Sequence, residues 1–184
     1  MKHLITSLSA LALLASGQSA SAQVLDTSLI ANVGEFNDND SGTADAYTIG
    51  IQASYNLMEN FSAFASRSAG EMEFPSGTTL DLTINQIGLE LNYRFYDQNY
   101  LTIDSAARLY SEFGEASNST ATGDLRGTGF GLGLTTTYDI DRTYVITTEI
   151  GYESSRGSNY TSNASSLDYE LSTLQFGVGI MFSL

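Results

Sequence analysis

Apolar and polar residues alternate along most of this chain, most cleanly at its end. From Ser172 onward, Leu174, Phe176, Val178, Ile180, Phe182 and Leu184 fall on one parity, and Thr173, Gln175, Gly177, Gly179, Met181 and Ser183 on the other. Side chains of a strand point to opposite faces with period two, so this stretch predicts a strand with one apolar face and one small, mostly polar face. The same reading predicts seven strands before it. The first is Leu25 to Glu35, with Leu29, Ala31 and Val33 on one face. In the second, Tyr47, Ile49, Ile51, Ala53, Tyr55 and Leu57 alternate with Thr48, Gly50, Gln52, Ser54 and Asn56. The third begins at Phe61 with Ala63 and Ala65 and is the weakest, since Arg67 falls on the apolar parity and Phe64 on the other. The fourth sets Ile87, Leu89, Leu91, Tyr93 and Phe95 against Gln86, Gly88, Glu90, Asn92 and Arg94; the fifth sets Leu101, Ile103, Ser105, Ala107 and Leu109 against Thr102, Asp104, Ala106, Arg108 and Tyr110. The sixth has Phe130, Leu132, Leu134, Thr136 and Tyr138 opposite a run of glycine and threonine. The seventh has Tyr144, Ile146, Thr148, Ile150 and Tyr152 opposite Val145, Thr147, Glu149, Gly151 and Glu153.

The connections are expected to alternate in length. Long loops are predicted at Asn37–Asp45, around Glu71, Glu73 and Pro75, at Gly114–Arg126 and at Ser154–Ser166; short turns at Met58–Asn60, Tyr96–Asn99 and Asp139–Arg142. Antiparallel neighbours put all short turns at one end and all long loops at the other, the asymmetry of outer-membrane barrels. Tyr55, Phe61, Tyr93, Phe95, Tyr100, Tyr138, Tyr144 and Phe182 then fall near one level, beside the turns. Amphipathic rings gather at a membrane–water boundary, so this group reads as a girdle.

Alternation alone does not say which face is inside, and a soluble eight-stranded barrel of the lipocalin kind has the same period. Three features favour the membrane. The aromatic residues cluster at strand ends on the apolar face. The other face carries charges and glycines, which fill a narrow lumen better than they cover a soluble surface. And residues 1–22 read as a secretory signal: Lys2 is the positive start, Leu4 to Ala15 a mostly apolar run, Ala20-Ser21-Ala22 a cleavage site. The chain then divides into a signal peptide, 1–22, cleaved after Ala22, and one barrel domain, 23–184. The fold class expected is all-β, an eight-stranded antiparallel up-and-down transmembrane β-barrel.

Cleavage changes the chemistry available. Lys2 and His3 are the only lysine and histidine and leave with the signal; what remains has six arginines against 21 acidic residues, and no cysteine or tryptophan. Such an acidic chain is a poor partner for nucleic acid. Without histidine or cysteine it lacks the usual proton shuttle and the usual thiol nucleophile, so a non-enzymatic role is expected, with no cofactor.

Strand number, loop asymmetry and the closing strand together resemble the small eight-stranded outer-membrane barrels, the OmpX/Ail-like surface proteins and the transmembrane domain of OmpA. The resemblance covers Leu25 to Leu184. It implies a Gram-negative outer membrane, contact with outer-membrane lipid and lipopolysaccharide, a monomer, and closed or narrow barrels used for envelope integrity, adhesion or surface binding. It also implies that the closing strand is read by the outer-membrane insertion machinery, through Phe176, Val178, Ile180, Phe182 and Leu184, the last standing where the family usually has phenylalanine.

The inward parity carries the candidate site: Glu90 and Arg94, Asp104 and Arg108, Glu149 and Glu153. Pairing Phe95 with Leu101 sets Arg94 diagonally near Asp104 and Glu90 diagonally near Arg108. Pairing Tyr138 with Tyr144 sets Gly133 opposite Glu149 and Gly129 opposite Glu153. These charges are expected to form an ion-pair plug, with a narrow porin-like channel as the alternative. An adhesin would use the same barrel to present its loops. The segment Phe36-Asn-Asp38-Asn-Asp40-Ser-Gly42 lacks the spacing and closing glutamate of an EF-hand loop and reads as a solvated acidic loop. Loop carboxylates bridged to lipid phosphate by divalent cations remain an expectation from charge alone.

Overall fold

The computed structural model describes residues 24–38, 42–58, 60–118, 122–140, 145–161 and 167–183. The expected signal peptide and Leu184 lie outside the described residues. Within them the chain forms eight strands: β1 (Val24–Asp38), β2 (Gly42–Met58), β3 (Phe61–Glu73), β4 (Thr79–Gln98), β5 (Leu101–Ser117), β6 (Thr122–Asp139), β7 (Val145–Thr161) and β8 (Leu167–Ser183). Each is antiparallel to its sequence neighbours, and β8 returns to β1 to close the barrel. A walk across paired residues from Ser28 passes Gln52, Ser66, Gln86, Glu112, Gly127, Gly157 and Tyr169 and regains β1 at Asp38. That stagger tilts the strands, and eight tilted strands leave an interior just wide enough for side chains to fill.

The strands run further than the alternation predicts. β3 takes in Glu71 and Glu73, β5 and β6 take in most of the expected loop at 114–126, and β7 takes in most of that at 154–166. The four connections at this end are residues 39–41, 74–78, 118–121 and 162–166, hardly longer than the turns at 59–60, 99–100 and 140–144. The expected long loops are therefore strand. The β3–β4 connection is a tight turn: the Gly77 amide donates to the Phe74 carbonyl at 2.9 Å, Pro75 follows Phe74, and Gly77 takes a φ of 81° that a side chain would oppose.

The reason lies in where the apolar residues point. Towards the turn end they face outward: Ile87, Leu89, Leu91, Tyr93 and Phe95 on β4, Leu132 and Leu134 on β6, Phe176, Val178 and Ile180 on β8 are all exposed on the outer wall. The run from Ile87 to Phe95 has about the length a tilted strand needs to cross the hydrocarbon of a bilayer. Towards the loop end the faces exchange roles. Phe36, Ala44, Ala46, Met72, Leu82, Ile84, Ala116, Leu125, Tyr169 and Leu171 are buried together inside, while Glu35, Asp45, Asp81, Glu115 and Asp124 are exposed outside. An inside-out barrel in lipid thus continues as an inside-in barrel in water, and residues that read as loop are held in the ladder by an apolar core of their own.

Of the expected girdle, Tyr93, Phe95, Tyr100 and Tyr138 are exposed at the turn end. Tyr55 and Phe61 are half-buried. The side chains of Tyr144 and Phe182 lie outside the described residues.

Candidate functional site in the barrel interior

From the turn end, the interior begins as a polar cup of about 430 Å³, lined by hydroxyl, amide and carboxyl groups that include Asp26, Ser54, Asn56, Asn92, Asp104 and Thr137. Its floor is Arg108. The guanidinium Nε donates to Glu90, directly opposite on β4. Nη1 lies 2.6 Å from Glu149 and 3.5 Å from Glu153 on β7, across the lumen. Nη1 also donates to Gln175 Oε1 on β8 at 3.3 Å, and the guanidinium carbon stands 5.2 Å from the Phe64 ring centroid on β3. One cation therefore ties β5 to four other strands across the interior. Arg108 and its three glutamates are nearly excluded from water, with side chains between 5% and 9% exposed.

A second layer sits above. Gln86 Nε2 donates to Glu153 at 3.1 Å and to Glu112 at 3.3 Å. Glu112 also accepts from the Ser155 hydroxyl at 2.9 Å and the Tyr169 hydroxyl at 3.0 Å. With three donors on its two oxygens, this buried carboxylate is well satisfied. Tyr169 is also the link to the third layer, since its ring stacks on Phe36 at 5.3 Å in the apolar core. Polar cup, charge cluster and apolar core thus follow one another along the axis.

Of the six residues singled out in the sequence, the structure brings Glu90, Arg108, Glu149 and Glu153 together and sets the other two apart. Arg94 bridges Asp104 at 3.1 Å and Asp97 at 3.4 Å at the mouth of the cup, with its side chain more than half exposed. The registers differ from those expected. A bulge between Arg94 and Tyr96 places Glu90 and Arg94 directly opposite Arg108 and Asp104, not diagonally. On β6 and β7, Tyr138 pairs with Ile146, so Glu149 faces Thr135 and Glu153 faces Gly131. Glycine still makes the room, from other positions: a Cβ on Gly131 would meet Glu153 Cγ at 3.2 Å, and one on Gly177 would meet Glu149 Cβ at 3.3 Å.

Sequence reasoning missed Gln86, Glu112, Gln175 and Phe64 as members of the cluster. Glu112 continues the inward parity of Arg108 and Tyr110 and was hidden only by ending that strand too soon. Phe64 fell on the polar parity because its ring belongs inside, edge-on to Tyr110 at 6.3 Å and beside Arg108. On the closing strand, Phe176, Val178 and Ile180 face outward, and Phe182 pairs with Leu25 through the backbone. Asp40 lies outside the described residues, whereas Phe36 of the same acidic segment is buried in the apolar core.

No protein-family model and no curated protein sequence matches the chain. Solved structures do. Neisserial surface protein A superposes with a TM-score of 0.57 at 13% identity, over 91% of this chain and 100% of that one. The outer membrane protease OmpT from Escherichia coli gives 0.49 at 9% identity, over 92% and 99%. Ail, the attachment invasion locus protein of Yersinia pestis, gives 0.44 at 10% identity, over 89% and 100%. At these identities the likeness is one of fold. The chain has the fold of the small eight-stranded outer-membrane β-barrels.

Proposed function

With that fold as premise, we propose that the protein is a non-enzymatic component of a Gram-negative outer membrane, with a closed interior and a structural or surface role at the loop end. The observation that carries this reading is the stack of two seals, the Arg108 cluster below and the apolar core above. Ions entering the polar cup meet a guanidinium held among three glutamates and then side chains that offer no replacement for hydration water. The carboxylates of the charge cluster are engaged by Arg108, Gln86, Ser155 and Tyr169, which supports a role outside catalysis. The exposed faces of the strands beyond the apolar belt are the surface left for envelope contacts. The outward Phe176, Val178 and Ile180 support the closing strand as the segment read during insertion.

A narrow channel is the second reading, favoured by the cup alone. Refolded protein in planar bilayers separates the two. A sealed barrel gives no sustained conductance from protein whose folding is verified by heat-modifiable gel migration. Steady single-channel steps that change with Glu149→Gln would overturn the proposal and make the interior a path.

A further inference from the structure

The outer wall carries a groove of about 860 Å³ over β5, β6 and β7. It lies at the upper edge of the apolar belt, and its chemistry changes along its length. The lower wall is apolar: Ile87, Leu109, Phe130 and Tyr152, all exposed. The floor is made of short hydroxyl side chains, Ser111, Thr128 and Ser154, in a belt that is otherwise bulky and apolar. At the top stands Arg156, directly across the β6–β7 pair from Thr128. Arg126 follows Thr128 on the same face of β6, diagonal to Arg156, and is exposed.

These two arginines depart from the rest of the rim, where Glu35, Asp45, Asp81 and Glu115 face outward. Arg126 makes no ion pair with another described residue, and Arg156 bridges Glu170 at 3.1 Å in an exposed pair. A guanidinium side by side with a second one on a neighbouring strand suits an oxyanion with several acceptor oxygens. Apolar wall, hydroxyl floor and paired cations follow in the order acyl chain, polar linkage and phosphate of a membrane lipid.

We propose that this groove binds one phosphate-bearing lipid of the outer leaflet. Its phosphate sits on Arg126 and Arg156, its ester or sugar hydroxyls lie over Ser111, Thr128 and Ser154, and an acyl chain rests on Leu109 and Phe130. Glu170 competes with the phosphate for Arg156 and sets the affinity. Direct contact of this kind needs no bridging divalent cation.

The test is native mass spectrometry of the folded protein in a neutral detergent, titrated with diphosphoryl lipid A, with the same lipid stripped of phosphate, and with inorganic phosphate. One bound lipid A is expected. The double variant Arg126→Gln, Arg156→Gln weakens it about thirtyfold, and removing the lipid's phosphates does the same. Glu170→Gln, which keeps the apolar wall, the hydroxyl floor and both arginines, tightens it about fivefold. Opposite signs from two exposed substitutions are not the signature of misfolding. Unchanged binding in the double variant, equal binding of the stripped lipid, displacement by free phosphate, or a protein dimer lost with the same substitutions would each overturn the site.

Discussion

Replacing Arg108 with alanine tests whether the interior charges act as one unit. The guanidinium touches Glu90, Glu149 and Glu153, and all four side chains are below 10% exposed. Without it, Glu90 keeps the Asn92 amide at 2.9 Å and Glu153 keeps the Gln86 amide at 3.1 Å, but no cation remains in the cluster. Stranding a buried charge costs roughly 3–5 kcal/mol. Three carboxylates are stranded here, yet each can take up a proton, so the lower end, about 3 kcal/mol, is the expected loss. With a urea slope of about 2 kcal/mol per molar, the unfolding midpoint falls by about 1.5 M. The barrel has no tryptophan, so folded and unfolded fractions are best read in lipid vesicles by heat-modifiable migration and circular dichroism. Adding Glu149→Gln and Glu153→Gln to Arg108→Ala removes two of the three stranded charges and should recover at least half of the lost midpoint. Arg94→Ala, at the exposed mouth, should cost under about 1 kcal/mol. A midpoint for Arg108→Ala equal to that of the unaltered protein, or no recovery in the triple variant, would refute the reasoning.

Three further outcomes follow from the two halves of the barrel. Leu91→Arg, midway along the outward run from Ile87 to Phe95, should destabilise folding into vesicles by about 2–4 kcal/mol, whereas Phe113→Arg, above the upper end of that run, should cost about 0–1 kcal/mol; equal costs would argue against the depth assigned here. Phe36→Ala removes a ring that is 2% exposed and stacked on Tyr169, so a loss of about 3–5 kcal/mol is expected on the same gel, and a loss below 1 kcal/mol would mean that the loop-end core is not built as described. Tyr169→Phe deletes one of three donors to Glu112 and should cost about 1 kcal/mol, because Ser155 and Gln86 still hold the carboxylate; a loss as large as that of Phe36→Ala would count against a shared load.

How far the chain could be read depended on which signal each residue carried. Parity located Glu90, Arg108, Glu149 and Glu153 on one inward face with Arg94 and Asp104, and strand pairing set Glu90 near Arg108; that Arg108 also reaches Glu149 and Glu153 across the lumen is visible only in the structure. Register could not be read the same way. The bulge after Arg94 inserts a residue into the pairing without disturbing the alternation on either side, so a turn that looked tight left every partner displaced. Phe64 and Arg67 both broke parity, for opposite reasons: Phe64 is an apolar ring that belongs inside, next to Arg108, and Arg67 is an exposed cation on the outer wall. The loop ends were misread because serine, asparagine and acidic residues there were taken as solvated loop. They are the outward half of a strand whose inward half is apolar: Leu80, Leu82 and Ile84 on β4, Tyr169 and Leu171 on β8. A sliding reading of composition averages the two faces and sees only polarity.

That exchange of faces also locates the membrane without reference to any aromatic girdle. On β4 the outward apolar run stops at Ile87 and the inward one starts at Ile84; on β8 the switch falls between Leu174 and Leu171, and on β2 between Tyr47 and Ala46. An apolar side chain gains by leaving water wherever the water is, so it must change face at the height where lipid outside gives way to solvent. The groove under Arg126 and Arg156 lies at that height on β5 to β7, which is where a lipid phosphate would be met. β7 is the exception: beyond Tyr152 its inward residues are Ser155 and Gly157, and the interior there is completed by Tyr169 from β8, hydrogen-bonded to Glu112 across the lumen. The weakest stretch of the loop-end core thus adjoins the proposed lipid site, and a lipid seated there would brace the wall from outside.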